Sequence, residues 1–227
     1  GQAMDYCAQG LIRAGHQSGE MVGIYARNMP EWTQADLGIL AARGVSVPIY
    51  PTSTLDQLRY IVKDAGIRML FVGEQPQFDQ ALHLIDSGEI SHIVALDGTV
   101  DLRGCASASH FQAFLVSGNH QPSEQVLRER ERHYRMDDLL TLIYTSGTTG
   151  EPKGVMLDFA NMAACFEMHD ARLDLSEQDV SLCMLPLSHV FERAWSYYVL
   201  YCGAENVYIR DPQKVMDVIG EVKPTVM

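Results

Sequence analysis

The chain has 227 residues, which is enough for one large domain or two small ones. Its 17 lysines and arginines stand against 29 acidic residues, and the net charge of −12 argues against nucleic-acid binding, which requires a basic face. The same charge argues against electrostatic docking on anionic lipid, although a peripheral membrane contact of another kind stays open.

The cysteines indicate a reducing compartment. There are five, an odd number, and they form neither a Cys-x-x-Cys pair nor a Cys/His cluster with metal-ligand spacing. We therefore expect reduced, mostly buried thiols in a cytoplasmic protein. No stretch has the pattern of a signal peptide or a transmembrane helix. The cysteines are Cys7, Cys105, Cys165, Cys183 and Cys202.

Strand and helix patterns alternate through the first part of the chain. Thr54 and Gln57 have the spacing of a capping box at the start of one of these helices. This alternation with short connections predicts an α/β fold whose mostly parallel sheet has right-handed crossovers and helices on both faces. The predicted strands are residues 21–26, 45–50, 69–72 and 90–96, and the predicted helices are 3–14, 30–43, a helix from 55 onward, and 76–86.

The middle of the chain is less regular. Residues 98–120 predict irregular structure apart from a helix at about 111–116. Residues 122–135 are highly charged and have no clear apolar stripe, so we expect a helix that faces solvent.

Residues 139–157 contain the most informative stretch. An apolar run at 139–144 predicts a buried strand, and it opens into a loop of four hydroxyl residues and two glycines, with Lys153 shortly after. Glycines let backbone N–H groups approach an anion, hydroxyls add donors, and the lysine supplies a positive charge. The loop therefore suits an oligophosphate. Its residues are Thr145, Ser146, Gly147, Thr148, Thr149 and Gly150.

This loop differs from the common phosphate loop. That motif places Lys directly after Gly and before Ser or Thr, whereas Lys153 lies between Pro152 and Gly154. The chain contains no Gly-x-Gly-x-x-Gly motif either. For a general loop of this composition, the alternative is a polar turn between two strands.

The last third returns to alternating elements. We predict helices at 161–173, 191–201 and 212–222, strands at 180–185 and 206–209, and the entry to another strand at 223–227. Asp158 is a candidate cap for the first of these helices. Tyr197, Tyr198 and Tyr201 have helical spacing and are expected to pack in the core.

Four stretches, in order along nearly the whole chain, resemble one family. The loop resembles the signature phosphate-binding loop of the adenylate-forming superfamily: acyl-CoA synthetases, luciferases and the adenylation domains of peptide synthetases. The string Pro-Leu-Ser-His-x-Phe-Glu-Arg most resembles the long-chain fatty acid–CoA ligase branch, because peptide-synthetase adenylation domains lack that histidine. The stretches are residues 23–28 with 31–32, 41–50, 145–154 and 185–193.

The resemblance implies part of the large N-terminal domain of an acyl-CoA synthetase. The implied partners are a fatty acid, ATP with Mg²⁺, and coenzyme A. A carboxylate attacks the α-phosphate of ATP and releases pyrophosphate, and coenzyme A then takes the acyl group and releases AMP. The enzyme's main task is to position the reactants and to neutralise phosphate charge.

The resemblance also implies site residues. Residues 145–150 and Lys153 would hold the phosphates, and Thr148 would lie beside Mg²⁺. His189 would lie where the acyl carboxylate meets the phosphates, although a lone histidine at such a position is otherwise more often structural. We expect Glu192 and Arg193 to make structural charge interactions at a helix end.

Two departures limit what the resemblance implies. Asp158 and Phe159 stand where the family usually has a Thr/Ser-His pair, so any role of that histidine is lost. The family's later motifs do not occur in these 227 residues: the aromatic-Gly-x-Thr-Glu segment, the ribose-binding aspartate and the lysine of a mobile C-terminal domain. We therefore expect residues 1–227 to form an incomplete N-terminal adenylation domain that is inactive alone and prone to self-association.

Several alternatives remain open at this level. The chain could belong to a ligase for a shorter or aromatic acid, or to another adenylating enzyme. It could also be a flavodoxin-like module that binds a different anion, or a noncatalytic folding or interaction unit.

Overall fold

A computed structural model describes residues 1–119, 121–145 and 151–227, and these form two sheets with surrounding helices. The strands are β1 Met21–Tyr25, β2 Val45–Ile49, β3 Met69–Val72, β4 His92–Ala95, β5 Ala108–His110, β6 Leu139–Thr145, β7 Lys153–Asp158, β8 Val180–Cys183 and β9 Glu205–Tyr208. The helices are α1 Gln2–Arg13, α2 Pro30–Ala41, α3 Leu55–Ala65, α4 Gln75–Asp86, α5 Phe111–Gly118, α6 Gln121–Glu131, α7 Phe159–Asp170, α8 Val190–Tyr201 and α9 Val215–Val222.

The larger sheet has seven strands in the order β5-β4-β3-β1-β2-β6-β7. All its pairs are parallel except β6 and β7, which form an antiparallel pair at one edge. The smaller sheet pairs β8 with β9 in parallel, and a bridge from Ser181 to Val226 extends it as the pattern of residues 223–227 predicted. The predicted α/β class with a mostly parallel sheet is confirmed.

The larger sheet is covered on both faces, as predicted. Alternate residues of one strand point to opposite faces, so Phe71 enters one apolar cluster with α1, α2 and α5, while Leu70 and Val72 enter another with α3 and α4. Because both faces are buried, these strands are apolar nearly throughout, which explains their short continuous apolar runs.

The two predicted helix N-caps are confirmed. Thr54 and Gln57 form the reciprocal capping box of α3. Asp158 caps α7 by accepting from the backbone N–H of Asn161 at 2.7 Å. At the end of α2, Arg43 rather than Gly44 has the left-handed conformation, with φ 58°. Gly44 is needed for space, since a β-carbon there would lie 2.5 Å from Nε2 of His16.

Three predictions need correction. The segment expected to be irregular contains β5, which pairs with β4. Helix α6 does not simply face solvent: Leu127 is fully buried, and Arg130 donates to the carbonyl oxygens of Ala42 and His16 at 2.8 and 2.6 Å. Tyr201 is 64% exposed, whereas Tyr197 and Tyr198 are buried as expected.

The five thiols are free, as the cysteine pattern predicted, but the expectation that most of them are buried is wrong. Cys7 and Cys183 are buried, and the other three are half-buried. In the described ranges, no helix is both long and apolar enough to cross a bilayer.

Candidate functional site

A cavity of about 440 Å³ lies beyond the carboxyl ends of β2 and β6. Ile49 and Thr145, the last residues of these strands, line it together with Tyr144, Pro152 and His189. Ligands on parallel sheets usually bind at this edge, where strands end and loops begin. The structure thus brings one end of the predicted phosphate loop and the predicted histidine to a single cavity.

Volume alone does not select this cavity. A larger one, about 680 Å³, lies at the opposite edge of the sheet, in front of β3 and β4. Its lining includes Arg59 and Glu89, which form an ion pair at 2.8 Å, and neither Thr145 nor His189. The smaller cavity is therefore the candidate site because of the chemistry that converges there.

Lys153 lies directly opposite Thr145 in the antiparallel β6–β7 pair. Directly opposite residues project to the same face of a sheet, so the ammonium group and the hydroxyl leave the hairpin on one side. Both side chains are exposed, and Lys153 makes no ion pair with any residue that the structure describes. The predicted loop residues Ser146, Gly147, Thr148, Thr149 and Gly150 lie outside the described residues.

Tyr144 fixes the end of β6 against α3. Its hydroxyl donates to Oδ2 of Asp64 at 2.6 Å, and its ring lies under Gly154, where a β-carbon would come within 3.3 Å of it. Burial raises the pKa of Tyr144, and the bond to Asp64 raises it further, so the phenol keeps its proton and stays a donor. Sequence patterns did not single out this tyrosine, whose role depends on a partner 80 residues away.

His189 occupies the N-cap position of α8. Its Nδ1 accepts from the backbone N–H of Phe191 at 3.2 Å, which requires the lone pair on that nitrogen. The neutral ring therefore carries its proton on Nε2. Because His189 is exposed and lines the cavity, it can donate from Nε2 to an anionic oxygen bound there.

A buried ion pair fixes α8 behind the histidine. Arg193 donates to both carboxylate oxygens of Asp36 at 2.6 and 2.9 Å, and to the hydroxyl of Thr141 at 2.6 Å. Arg193 is 2% exposed and Asp36 not at all. Thr141 in turn donates to the carbonyl of Ser46 at 2.6 Å, so α8, α2, β6 and β2 share one network.

Arg193 thus makes a structural charge interaction near the start of α8, as expected, and the ion pair is buried. Burial alone would lower the pKa of Arg193, but the adjacent Asp36 carboxylate outweighs it and the net direction is upward. Nothing in the sequence indicated that Arg193 pairs with Asp36, which lies 157 positions away.

A model of the AMP-binding enzyme family matches residues 1–227, the whole chain. The chain belongs to the AMP-binding enzyme family. The family match thereby confirms that the chain resembles the adenylate-forming superfamily.

Two relatives illustrate which AMP-binding enzymes the chain is similar to. It is 31% identical over 233 residues to the peroxisomal long chain acyl-CoA synthetase 6 of Arabidopsis thaliana, covering 100% of this chain and 32% of that protein. It is 32% identical over 224 residues to the long-chain-fatty-acid–CoA ligase FadD15 of Mycobacterium bovis, covering 97% of this chain and 36% of that protein. The chain thus spans about a third of the length of the curated relatives it matches.

A solved structure supports the fold of this AMP-binding chain. The anthranilate CoA ligase AuaEII, in complex with anthranoyl-AMP, superimposes with a TM-score of 0.82 over 99% of this chain and 42% of that one. The sequences are 22% identical, so the likeness shows the α/β architecture alone.

The described residues of this chain form no protein-built metal cage. Residues 1–119, 121–145 and 151–227 contain no cluster of three or more His, Cys, Asp or Glu side chains that could hold an ion. Thr148, the predicted neighbour of Mg²⁺, lies outside these ranges.

Proposed function

We propose that the chain is part of an ATP-dependent long-chain fatty acid–CoA ligase. The observation that carries this proposal is the single cavity that joins Thr145, at the start of the hydroxyl loop, to His189 with its Nε2 donor. Both relatives described above carry names that state long-chain acyl-CoA ligase chemistry, which supports the same activity here.

The proposed reaction has two balanced steps. A carboxylate oxygen of the fatty acid attacks the α-phosphorus of ATP, the bond to the bridging oxygen breaks, and pyrophosphate leaves. The sulfur of coenzyme A then attacks the acyl carbonyl, the bond to AMP breaks, and the thiol proton passes to solvent. The first step needs no protein base, because a carboxylate is already ionised near neutral pH.

The described residues would position charge in the first step. Lys153 would neutralise phosphate oxygens from one side of the hairpin, together with residues 145–150. His189 would donate from Nε2 to the region shared by the carboxylate and the α-phosphate. Mg²⁺, arriving with ATP beside Thr148, would supply further neutralisation of the phosphates.

We further propose that residues 1–227 form an incomplete N-terminal adenylation domain. The remaining walls of the acyl pocket, the adenine site and the thioester-forming machinery would come from residues beyond these. We also propose a cytoplasmic location and a peripheral membrane contact for the longer protein.

Pyrophosphate exchange in the longer protein tests this function. We expect incorporation of labelled pyrophosphate into ATP that depends on the acid and rises from acetate through octanoate to palmitate. Exchange with benzoate but not with palmitate would instead support an aromatic-acid ligase. No exchange with any acid, together with equal binding of ATP and inorganic phosphate, would support an anion-binding module.

Lys153→Ala tests the phosphate contact. Losing a charged hydrogen bond should lower adenylation efficiency roughly 10- to 150-fold with the fold intact. Lys63→Ala is the matched control, because Lys63 is also an exposed lysine but lines the cavity at the opposite edge of the sheet. Equal rates in the two variants would remove Lys153 from the site.

A further inference from the structure

Asn28 holds the turn that leads to His189. It follows the carboxyl end of β1 and is 6% exposed. Its Nδ2 donates to the carbonyl of Leu185 at 2.7 Å, and its Oδ1 accepts from the backbone N–H of Leu187 at 2.9 Å. These two bonds join the larger sheet to the connection between β8 and α8.

An asparagine is chemically well matched to this position. The turn offers one acceptor and one donor, and an amide side chain has both N–H donors and a carbonyl acceptor. The Nδ2 of Asn28 also lies 3.5 Å from the carbonyl oxygen of Cys183. An aspartate would keep the bond to Leu187 but would face the Leu185 carbonyl with a second acceptor. An alanine would leave both backbone groups without a partner, and buried unpaired backbone groups are costly.

A second side chain, that of Glu192, also forms a hydrogen bond with the 185–187 turn. Glu192, in the first turn of α8, accepts from the backbone N–H of Leu185 at 3.0 Å. Within the turn, the N–H of His189 donates to the carbonyl of Pro186 at 2.8 Å, and the side chain of Leu187 is buried in the core. Both backbone groups of Leu185 are therefore bonded, and His189 follows Leu187 by only two residues.

The position of the His189 ring depends on the conformation of this turn. Its Nδ1 can accept from the backbone N–H of Phe191 only if His189 holds the N-cap position of α8. That hydrogen bond keeps the ring proton on Nε2. If the turn shifts, the bond weakens, and the ring can take the other tautomer.

We propose that Asn28 is a positioning residue for His189, acting through the 185–187 turn to present the Nε2 donor to the candidate cavity. The proposal rests on the proposed function for its consequence in catalysis, but not for its structural part. The two parts are tested separately.

The structural part is tested by long-range ¹H–¹⁵N NMR on the 227-residue chain, at a pH where the imidazoles are neutral. His189→Gln identifies the signals of this ring among the eight histidines. Wild type should show a single Nε2–H tautomer, and Asn28→Ala should show a mixture of both. A pure Nε2–H tautomer in folded Asn28→Ala would overturn the proposal.

The control is Thr33→Val. Thr33, in α2, is also buried and accepts a hydrogen bond from the hydroxyl of Tyr208, in β9, at 2.9 Å. Thr33→Val therefore deletes another hydrogen bond between a helix of the larger sheet and the smaller sheet. It should leave the His189 tautomer unchanged even if it lowers the melting temperature. If Asn28→Ala does not fold, Asn28→Asp replaces it, because it retains the bond from Leu187.

The catalytic part is tested by a double-mutant cycle in the longer protein. Asn28→Ala should slow acyl-adenylate formation roughly 10- to 100-fold, as misplaced catalytic groups do, with little change in KM for ATP. Adding Asn28→Ala to His189→Ala should slow the reaction by no more than about twofold further, because residues that act as a unit are not additive. Fully additive losses would overturn the positioning role.

The outcomes separate the two proposals. A wild-type protein without exchange activity would contradict the proposed function, while the NMR result would still decide how Asn28 acts on His189. An active wild type with an additive cycle would leave the function intact and contradict the role of Asn28.

Discussion

At the scale of single residues, His16 makes the fold sensitive to acid. It is 7% exposed, its Nε2 has no partner in the described residues, and Nδ1 lies 3.5 Å from a carboxylate oxygen of Glu20. Burial lowers the pKa of His16 to about 4; Glu20 opposes this shift and Arg130 adds to it. The contact with Glu20 is therefore not an ion pair at neutral pH, because the ring is uncharged.

This predicts a loss of stability on acidification. Below the ordinary imidazole pKa of about 6.5, the unfolded chain binds a proton that the folded chain does not, so the free energy of unfolding falls with pH until about 4. Between about pH 7 and pH 5 the loss from this one group should be about 2 kcal/mol.

Urea unfolding at the two pH values measures it. His16→Gln should show a clearly smaller loss than wild type, whereas the exposed control His133→Gln should lose as much as wild type does. An unchanged loss in His16→Gln would show that other groups cause the acid sensitivity.

At the scale of elements, close helix crossings depend on glycine. Gly118 at the end of α5 lies against α1, where a β-carbon would come 2.1 Å from the carbonyl oxygen of Tyr6 and 2.7 Å from the nitrogen of Gly10. Both are backbone atoms, so the clash can be relieved only by moving a helix. Gly118→Ala should therefore lower the free energy of unfolding by about 1–3 kcal/mol.

The matched variant is Gly220→Ala in α9. No atom lies within 4 Å of a β-carbon at that position, and it is exposed. There the substitution should stabilise by about 0.5–1 kcal/mol, because glycine loses more backbone entropy in a helix. Melting temperatures that fall equally in both variants would contradict the packing explanation.

The elements also show how far the sequence predicts this structure. Apolar period and caps placed the first four strands and their helices, because these signals are local. The missed strand β5 has three residues and depends on its pairing with β4, and the buried position of Arg193 depends on Asp36, 157 residues away. Such long-range partners leave no periodic trace in the sequence.

The residues of the candidate site also fall into two groups: those that the sequence or the resemblance indicated, and those whose roles depend on long-range partners. The hydroxyl and glycine content of residues 145–150 indicated an anion loop, and resemblance singled out His189. The convergence of Thr145 and His189 on one cavity required the fold. Asn28 lay in one of the resembling stretches, but its bonds to Leu185 and Leu187 join residues more than 150 positions apart, so its role was not readable.

At the scale of the whole molecule, the last third of the chain exposes apolar side chains. None of the residues of α7 or α9 is buried, in contrast to α1 to α5. The side chains that are more than 60% exposed include Met156, Met168, Phe191, Tyr201 and Met216. Apolar surface of this kind favours association with another surface.

We therefore expect the 227-residue chain to self-associate. Sedimentation velocity should show a weight-average mass that rises with protein concentration and rises further with salt, since screening weakens the repulsion of a net charge of −12. Phe191→Ser combined with Tyr201→Ser should reduce it, whereas changing Val116, an exposed valine on α5, to Ser should not. A single monomeric species at all concentrations would contradict this expectation.

The most direct test of the proposed site is His189→Ala in the longer protein, measured by palmitate-dependent pyrophosphate exchange together with the melting temperature. Removing one preorganised donor from a transition state typically costs about 100- to 1000-fold, and we expect at least about 10-fold here. Because His189 is exposed and gives up only a helix cap, stability should fall by about 0.5–2 kcal/mol. Normal exchange with a large drop in melting temperature would show that His189 is structural and would contradict its proposed contact with the reactants.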